Sequence, residues 1–207
     1  MTNVPFYNHD LCFSNIYMHI LLPFHDYRMI YMLLILLTSI SSYNRDKAVE
    51  YAYKYYQKIN HDCKKGRWSC SPYGYFGNNH CNYPKAGGDC ANFVSQCLIE
   101  GGITFPKTCN VRKCNVILGA QSLGICLGNH LKWKRACGKR LPPPQWIEKG
   151  DVIIYHQGSC NSGKTHAMIV TVGGKHAKVS GHSPGVKDRD WTFGKTKDHY
   201  EWLHFEH

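Results

Sequence analysis

The stretch Gly87-Gly88-Asp89-Cys90-Ala91-Asn92-Phe93-Val94-Ser95-Gln96-Cys97 runs from a pair of glycines into a helix with one apolar face. Counted from Cys90, apolar residues follow at the third, fourth, seventh and eighth positions, which is the spacing of a buried helical stripe. The pair Gly101-Gly102 predicts where this helix ends. We therefore predict a helix over 89–100 that packs on a sheet through the face that carries Cys90.

The beginning of this helix favours a reactive thiol. Asp89 is a good N-cap residue, so Cys90 lies in the first turn, where unpaired backbone N–H groups and the helix dipole stabilise a thiolate. The charge of Asp89 opposes that thiolate, so a neighbouring imidazolium is required. Gly87 and Gly88 leave space for a substrate backbone. The alternative is a buried or disulfide-bonded cysteine, which position alone favours in an exported protein.

The elements around this helix predict an α+β fold. An earlier amphipathic helix is predicted over 43–60, capped by Asn44 or Ser42. Its apolar stripe consists of Ala48, Tyr51, Ala52 and Tyr55. Alternating patterns predict strands over 151–156, 165–172 and 176–182. Two helices that precede a run of antiparallel strands define the α+β class. The Cys- and Gly-rich stretches 61–88 and 103–144 are predicted to be irregular.

Length and charge restrict the functional classes. A chain of 207 residues with 43% apolar residues suits one packed domain. The formal net charge of +11 favours anionic partners, but no run of Lys and Arg is long enough to indicate a nucleic-acid patch. We therefore do not expect a nucleic-acid partner.

An export signal is predicted inside the chain. From Met29 to Ile40 the sequence is apolar, and small residues follow at Ser41 and Ser42, which is typical of a secretory signal peptide over 29–42. A buried strand or core helix is the alternative. Because the run is too short to span a bilayer, we expect no stable membrane insertion. Residues 1–28 are then an upstream extension outside the mature protein, and 43–207 form a secreted domain.

The cysteines predict disulfides rather than a metal or a cofactor. No C-x-x-C occurs among the eleven cysteines, and their gaps fit no zinc module. If Cys90 is a free nucleophile and Cys97 a core residue, an even set of eight remains after Met29, which suits four bridges in an exported protein. These eight are Cys63, Cys70, Cys81, Cys109, Cys114, Cys126, Cys137 and Cys160. Their pairing stays open.

Two histidines are candidates to act with Cys90. His166 opens an apolar strand, and His182 follows 16 residues later, an even separation that lets both side chains share one sheet face. His182 could then accept a hydrogen bond from His166 and fix its tautomer. Taken alone, either histidine is more often structural than catalytic.

The shared face depends on the turn at Gly173-Gly174. A two-residue turn pairs Met168 with Val179 but places the two histidines on different faces. A three-residue turn sets His166 directly opposite His182. We hypothesise that the geometry of the site overrides apolar pairing and selects the three-residue register.

Five segments in order along the chain carry a family resemblance. They are 43–52, 89–98, 150–155, 165–170 and 181–183. Together they closely resemble the putative-amidase domain family, which looks related to the NlpC-like cell-wall cysteine peptidases of papain-like fold. The resemblance implies N-terminal helices packed on an antiparallel sheet, with Cys90 as nucleophile, His166 as base and His182 as the orienting third residue. The cysteine-rich segments 61–85 and 107–140 are insertions that we expect to shape the cleft.

These observations predict a secreted cysteine hydrolase for amide or peptide bonds, acting as a monomer on a peptide or cell-wall substrate. An acyltransferase that uses the same residues is one alternative. A non-catalytic, disulfide-stapled binding module with Cys90 itself bridged is another. A free Cys90 separates the enzymes from the binding module.

Overall fold

The fold is α+β, as predicted. The computed structural model describes residues 43–57, 89–112, 115–160, 162–163, 165–194 and 198–206. In these residues three α-helices accompany one antiparallel sheet of six strands in the order β1-β6-β2-β3-β4-β5. The helices are α1 (Arg45–Tyr55), α2 (Cys90–Glu100) and α3 (Ala120–Ile125). The strands are β1 (Lys134–Lys139), β2 (Val152–His156), β3 (Thr165–Val172), β4 (Lys178–Gly181), β5 (Val186–Asp190) and β6 (His199–His204).

Some predictions lie outside this part of the chain. The upstream extension 1–28, the signal peptide 29–42 and the cysteine-rich insertion 61–85 are not among the described residues. Within the described ranges, no helix is both long enough and apolar enough to cross a membrane.

The two predicted helices form close to their expected bounds. At α1, the Asn44 side chain accepts a hydrogen bond from the Lys47 backbone N–H at 2.9 Å, so Asn44 is the cap of the two that were predicted. This helix ends at Tyr55, earlier than predicted. Helix α2 ends at Glu100, and the Gly101 N–H bonds the Cys97 carbonyl at 3.1 Å to close its last turn.

The helices cover one face of the sheet. Because adjacent strand residues point to opposite faces, each strand contributes to two separate apolar clusters. The helix-side cluster contains the sheet residues Val152, Ile154, Ala167, Ile169 and Leu203. The opposite cluster contains Ile153, Tyr155, Met168, Val170, Val179 and Trp202. The segment around Ile147 and the side chain of Trp191 pack against this second cluster.

Three strands and one helix were missed by the sequence analysis. Helix α3 and strand β1 form within 103–144, which was predicted to be irregular. Strands β5 and β6 form after the last predicted strand. Strand β6 lies between β1 and β2, and its alternation is obscured because the charged Glu201 is buried on the helix side.

The hairpin from β3 to β4 has neither register considered from the sequence. Val170 pairs with Val179, a bulge follows, and Val172 pairs with Lys178, which leaves five residues in the turn. The three-residue register was therefore wrong. Gly173 explains the longer turn: a Cβ there would lie 2.6 Å from the Glu148 Cα, so the turn docks closely on that backbone.

Candidate active site

Cys90 is the first residue of α2 and carries a free thiol. Its side chain belongs to the helix-side cluster and is almost fully buried, with 6% of the residue exposed. The Ala167 backbone N–H, one residue beyond His166 on β3, donates a hydrogen bond to the sulfur. The predicted helix face therefore does bring Cys90 onto β3, where its sulfur contacts the backbone next to His166.

The surroundings of Cys90 keep the thiol protonated. Burial raises its pKa above the usual value, and the N–H of Ala167 opposes that shift. The negative charge of Asp89 raises the pKa further, whereas the backbone N–H groups of Ala91 and of Cys90 itself lower it. The predicted stabilisation by the helix N-terminus is present, but burial outweighs it. A base is therefore required to form the thiolate.

Asp89 occupies the N-cap position, yet its side chain makes no capping bond. One carboxylate oxygen, Oδ1, accepts from Asn92 Nδ2 at 2.8 Å. The other, Oδ2, lies 2.8 Å from His182 Nδ1. The Asp89 backbone N–H donates to Ser183 Oγ at 3.1 Å. The carboxylate thus ties α2 to the end of β4 instead of capping the helix.

A buried chain of polar side chains leads to Asp89. The Tyr51 hydroxyl on α1 donates to Gln96 Oε1 at 2.9 Å, and Gln96 Nε2 donates to Asn92 Oδ1 at 2.9 Å. Asn92 then donates to Asp89, so every donor in the chain points towards the carboxylate. Aligned hydrogen bonds polarise one another and stabilise the negative charge at their end. The sequence signal for this chain was present: Asp89, Asn92 and Gln96 follow helical spacing on a largely apolar helix.

His182 is fully buried against the start of α2. Its ring stacks on Phe93 with the centroids 4.2 Å apart. Its Nε2 lies 2.7 Å from the backbone carbonyl of Tyr55. Because a carbonyl only accepts hydrogen bonds, Nε2 carries a proton. When Asp89 is ionised, Nδ1 must carry one as well, so the pair is then an imidazolium beside a carboxylate.

His166 lies on the other side of β3 from His182. It pairs with Tyr155 across β2 and β3, and the two rings are 6.0 Å apart. Tyr155 belongs to the cluster opposite the helices, whereas His182 stacks on a residue of α2. The predicted shared face of the two histidines is therefore wrong, because the β3–β4 register is shifted by the longer turn. His166 is half-buried at the beginning of its strand, next to the residue that bonds the Cys90 sulfur.

Cys90 and Cys97 are the free cysteines in the described part of the chain. Disulfides join Cys109 to Cys126 and Cys137 to Cys160. All four bridged residues belong to the set of eight that we predicted to be paired. The other four, Cys63, Cys70, Cys81 and Cys114, lie outside the described residues. One group of potential metal ligands, Cys137, His156 and Glu201, lies on β1, β2 and β6.

The protein is an α+β domain in which helices pack on an antiparallel sheet. The free cysteine at the beginning of α2 is its candidate thiol site. Residues 42–204 match the family model described as Putative amidase domain, so the chain belongs to that family. The match contains Cys90, His166 and His182. No curated protein and no solved structure matches the chain.

Proposed function

We propose that this protein is a secreted cysteine hydrolase that cleaves amide bonds, with Cys90 as nucleophile and His166 as base. One observation carries the proposal: the free thiol of Cys90 begins α2 and bonds the backbone N–H directly after His166. Membership of the Putative amidase domain family supports hydrolysis of an amide.

The chemistry begins with the protonated thiol. His166 lies at the beginning of β3 on the face of Tyr155, so its ring must turn towards the helix side to remove the proton from Cys90. The thiolate then forms a C–S bond to the amide carbonyl carbon. The N–H groups of Cys90 and Ala91, which already act on the sulfur, are the donors for the developing oxyanion. The His166 imidazolium then protonates the departing amine. Water hydrolyses the thioester and restores the thiol.

His182 takes a different part from the one that the family resemblance implies. Its ring nitrogens lie on Asp89 and on the Tyr55 carbonyl, so we assign it as a positioning residue that acts through Asp89. It joins the end of α1 to the beginning of α2 and so fixes the place of Cys90. As an imidazolium it also balances the Asp89 charge, which otherwise opposes the thiolate.

The substrate class follows from the surface charge and from the family. The net charge of +11 favours an anionic substrate, and peptides of the bacterial cell wall combine amide bonds with an anionic polymer. The relationship to NlpC-like peptidases of papain-like fold, the monomeric state and secretion are parts of this proposal. Two disulfides in the described residues support an oxidising location.

The alternatives differ in what becomes of Cys90. A stapled binding module with Cys90 bridged is disfavoured because this thiol is free. An acyltransferase would use the same residues and pass the acyl group to an amine or an alcohol. Adding hydroxylamine during turnover separates the two enzymes, since a transferase gives the hydroxamate in preference to the free acid.

The proposal is tested by alkylation and by hydrolysis of cell-wall peptides. Iodoacetamide should label Cys90 fastest, as read by mass spectrometry, and Cys90→Ala should abolish hydrolysis while the fold is retained. His166→Gln should lower the rate by about 10²–10⁴. Cys97→Ala is the matched control, because Cys97 is also free but lies deeper in the core. Full hydrolysis by folded Cys90→Ala would end the nucleophile hypothesis.

A further inference from the structure

The Cys137–Cys160 disulfide links two parts of the sheet that are not neighbours. Cys137 lies on β1, and Cys160 lies in the connection between β2 and β3. Because β6 lies between β1 and β2, Cys160 reaches across β6 to make this bond. Cys137 is paired with Glu201, which faces α3, so the Cys137 side chain lies on the helix side. The disulfide therefore holds the connection on the sheet face that carries Cys90.

The described residues of this connection form a compact turn around Cys160. The Ser162 N–H donates to the Ser159 carbonyl at 3.1 Å, and the Ser159 N–H donates to the Ser162 side chain at 3.2 Å. A Cβ at Gly163 would overlap the Gln157 carbonyl oxygen, so the chain folds back closely on itself there. A turn that is bonded to itself in this way takes its position from the points at which it is attached.

Within the described part of the chain, two bonds attach this turn to the far strands. One is the disulfide to β1. The other is a hydrogen bond at 3.0 Å from the Gly158 N–H to the side chain of Asp198, the residue before β6. This hydrogen bond is exposed, so water competes for both of its groups and it is the weaker restraint. The disulfide therefore decides where the turn lies, and the turn leads into β3 and His166.

The two described disulfides differ in their exposure. Cys109 is 4% exposed and Cys126 is fully buried, whereas Cys137 and Cys160 are both only half-buried. A disulfide is reduced when a thiolate reaches one of its sulfur atoms, so access decides the rate. A thiol reagent should therefore open the Cys137–Cys160 bond before the Cys109–Cys126 bond.

We propose that the Cys137–Cys160 disulfide is a redox switch that positions His166 for its reaction with Cys90. The inference rests on the proposed function, in which the His166 ring turns towards the helix side to reach the thiol. The disulfide holds the preceding turn on that same side and so fixes the backbone from which His166 projects. Misplacing a catalytic group by about 1 Å can lower a rate by about a hundredfold. Opening the bond should therefore slow hydrolysis while the sheet stays intact.

Reduction of the bond needs a thiol reagent, and a small-molecule dithiol is sufficient. Its thiolate attacks one sulfur and releases the other cysteine, and its second thiol then breaks the mixed disulfide. The protein gains two electrons and two protons as two thiols, and the reagent becomes a disulfide. Because the cytosol keeps thiols reduced, the chain would have low activity there and would gain activity when it is oxidised after export.

The first test measures kcat and KM for hydrolysis of a cell-wall peptide by the full chain, before and after mild treatment with dithiothreitol. We expect kcat to fall by at least about tenfold with little change in KM, and reoxidation to restore it. Mass spectrometry after alkylation reports the opened fraction of the bond, and the loss of rate should follow that fraction. An unchanged kcat with Cys137 and Cys160 fully alkylated overturns the proposal.

Variants assign the effect to this bond. The double variant Cys137→Ser with Cys160→Ser should have the low kcat and lose nothing further on reduction. The matched control is Cys109→Ser with Cys126→Ser, which removes the other described disulfide and should keep both the loss and the recovery. A Cys137/Cys160 variant with the kcat of oxidised wild type overturns the proposal. If that variant does not fold, the reduced wild type still decides.

A labelling experiment shows whether the bond acts through His166. It compares the rate of iodoacetamide labelling at Cys90 at pH 7 in wild type and in the Cys137/Cys160 variant, each with and without His166→Gln. We expect loss of the bond to slow labelling by about threefold or more when His166 is present, and to have no effect in His166→Gln. Equal slowing in both backgrounds would mean a merely structural role and overturns the proposal. Hydrolysis by folded Cys90→Ala refutes the proposed function instead, and this labelling comparison still tests the positioning of His166.

Discussion

Replacing Asp89 with asparagine should make Cys90 more reactive without disturbing the fold. The new amide oxygen can still accept from Asn92, and the new amide N–H can donate to His182 Nδ1. His182 then keeps its Nε2–H bond to the Tyr55 carbonyl as a neutral ring. These two hydrogen bonds of the carboxylate therefore have counterparts in the variant, while the negative charge of Asp89 is removed.

The magnitude follows from that charge. Asp89 raises the pKa of the Cys90 thiol, so its removal lowers this pKa and increases the thiolate fraction at neutral pH. Two unit charges about 4 Å apart interact by about 1 kcal/mol in water and about 4 kcal/mol at a dielectric constant of about 20. Because the charge on His182 is lost in the same step, we expect a net effect of about 1.4 kcal/mol, or tenfold in thiolate fraction. A less basic thiolate is also a weaker nucleophile, which reduces the gain in rate to about threefold.

The assay is the rate of iodoacetamide labelling at Cys90 from pH 6 to 10, followed by mass spectrometry. We expect the midpoint of the Asp89→Asn profile at lower pH than in wild type, and faster labelling at pH 7. Asp46→Asn is the matched control, because it removes the same charge from an exposed ion pair with Lys149. An unchanged or slower rate at pH 7 in folded Asp89→Asn would refute the reasoning.

Four further variants test the packing around the site. Gly173→Ala should lower the free energy of unfolding by about 1–3 kcal/mol, because its Cβ would overlap the backbone of residues 147 and 148. Gly174→Ala should lower it by about 1 kcal/mol, because Gly174 has a positive φ although no atom lies within 4 Å of its Cβ position. Urea unfolding measures both, and equal losses would contradict the docking of the turn. Tyr51→Phe should cost about 1 kcal/mol by removing the first donor of the polar chain, and no change in unfolding by urea would show that this donor contributes nothing. The double variant Cys109→Ser with Cys126→Ser should lower stability by about 3 kcal/mol, read as a lower melting temperature, and an unchanged melting temperature would count against the bridge.

Local patterns in the sequence were sufficient for helices α1 and α2, whereas α3 was missed. The apolar spacing after Cys90 and the terminating glycines predicted α2 within a residue at each end. The assumption that Cys90 and Cys97 are free left an even set of eight cysteines, and both thiols are free in the described part of the chain. Both inferences depend on residues that are close in sequence or on simple counting, so no knowledge of the tertiary fold was needed. Strand β6 was missed because its buried Glu201 is explained only by Arg135 and His156 on neighbouring strands.

The sequence by itself determined the α+β class, the helix that begins at Cys90 and the histidines available to it. Only the tertiary structure decided which group each histidine contacts. The register of β4 depends on the docking of Gly173 against Glu148, a contact between distant parts of the chain that no local pattern records. That shift of register turns His182 towards Asp89 and the Tyr55 carbonyl. Because side chains alternate along a strand, a shift by one residue exchanges the sheet face and with it the chemical partner.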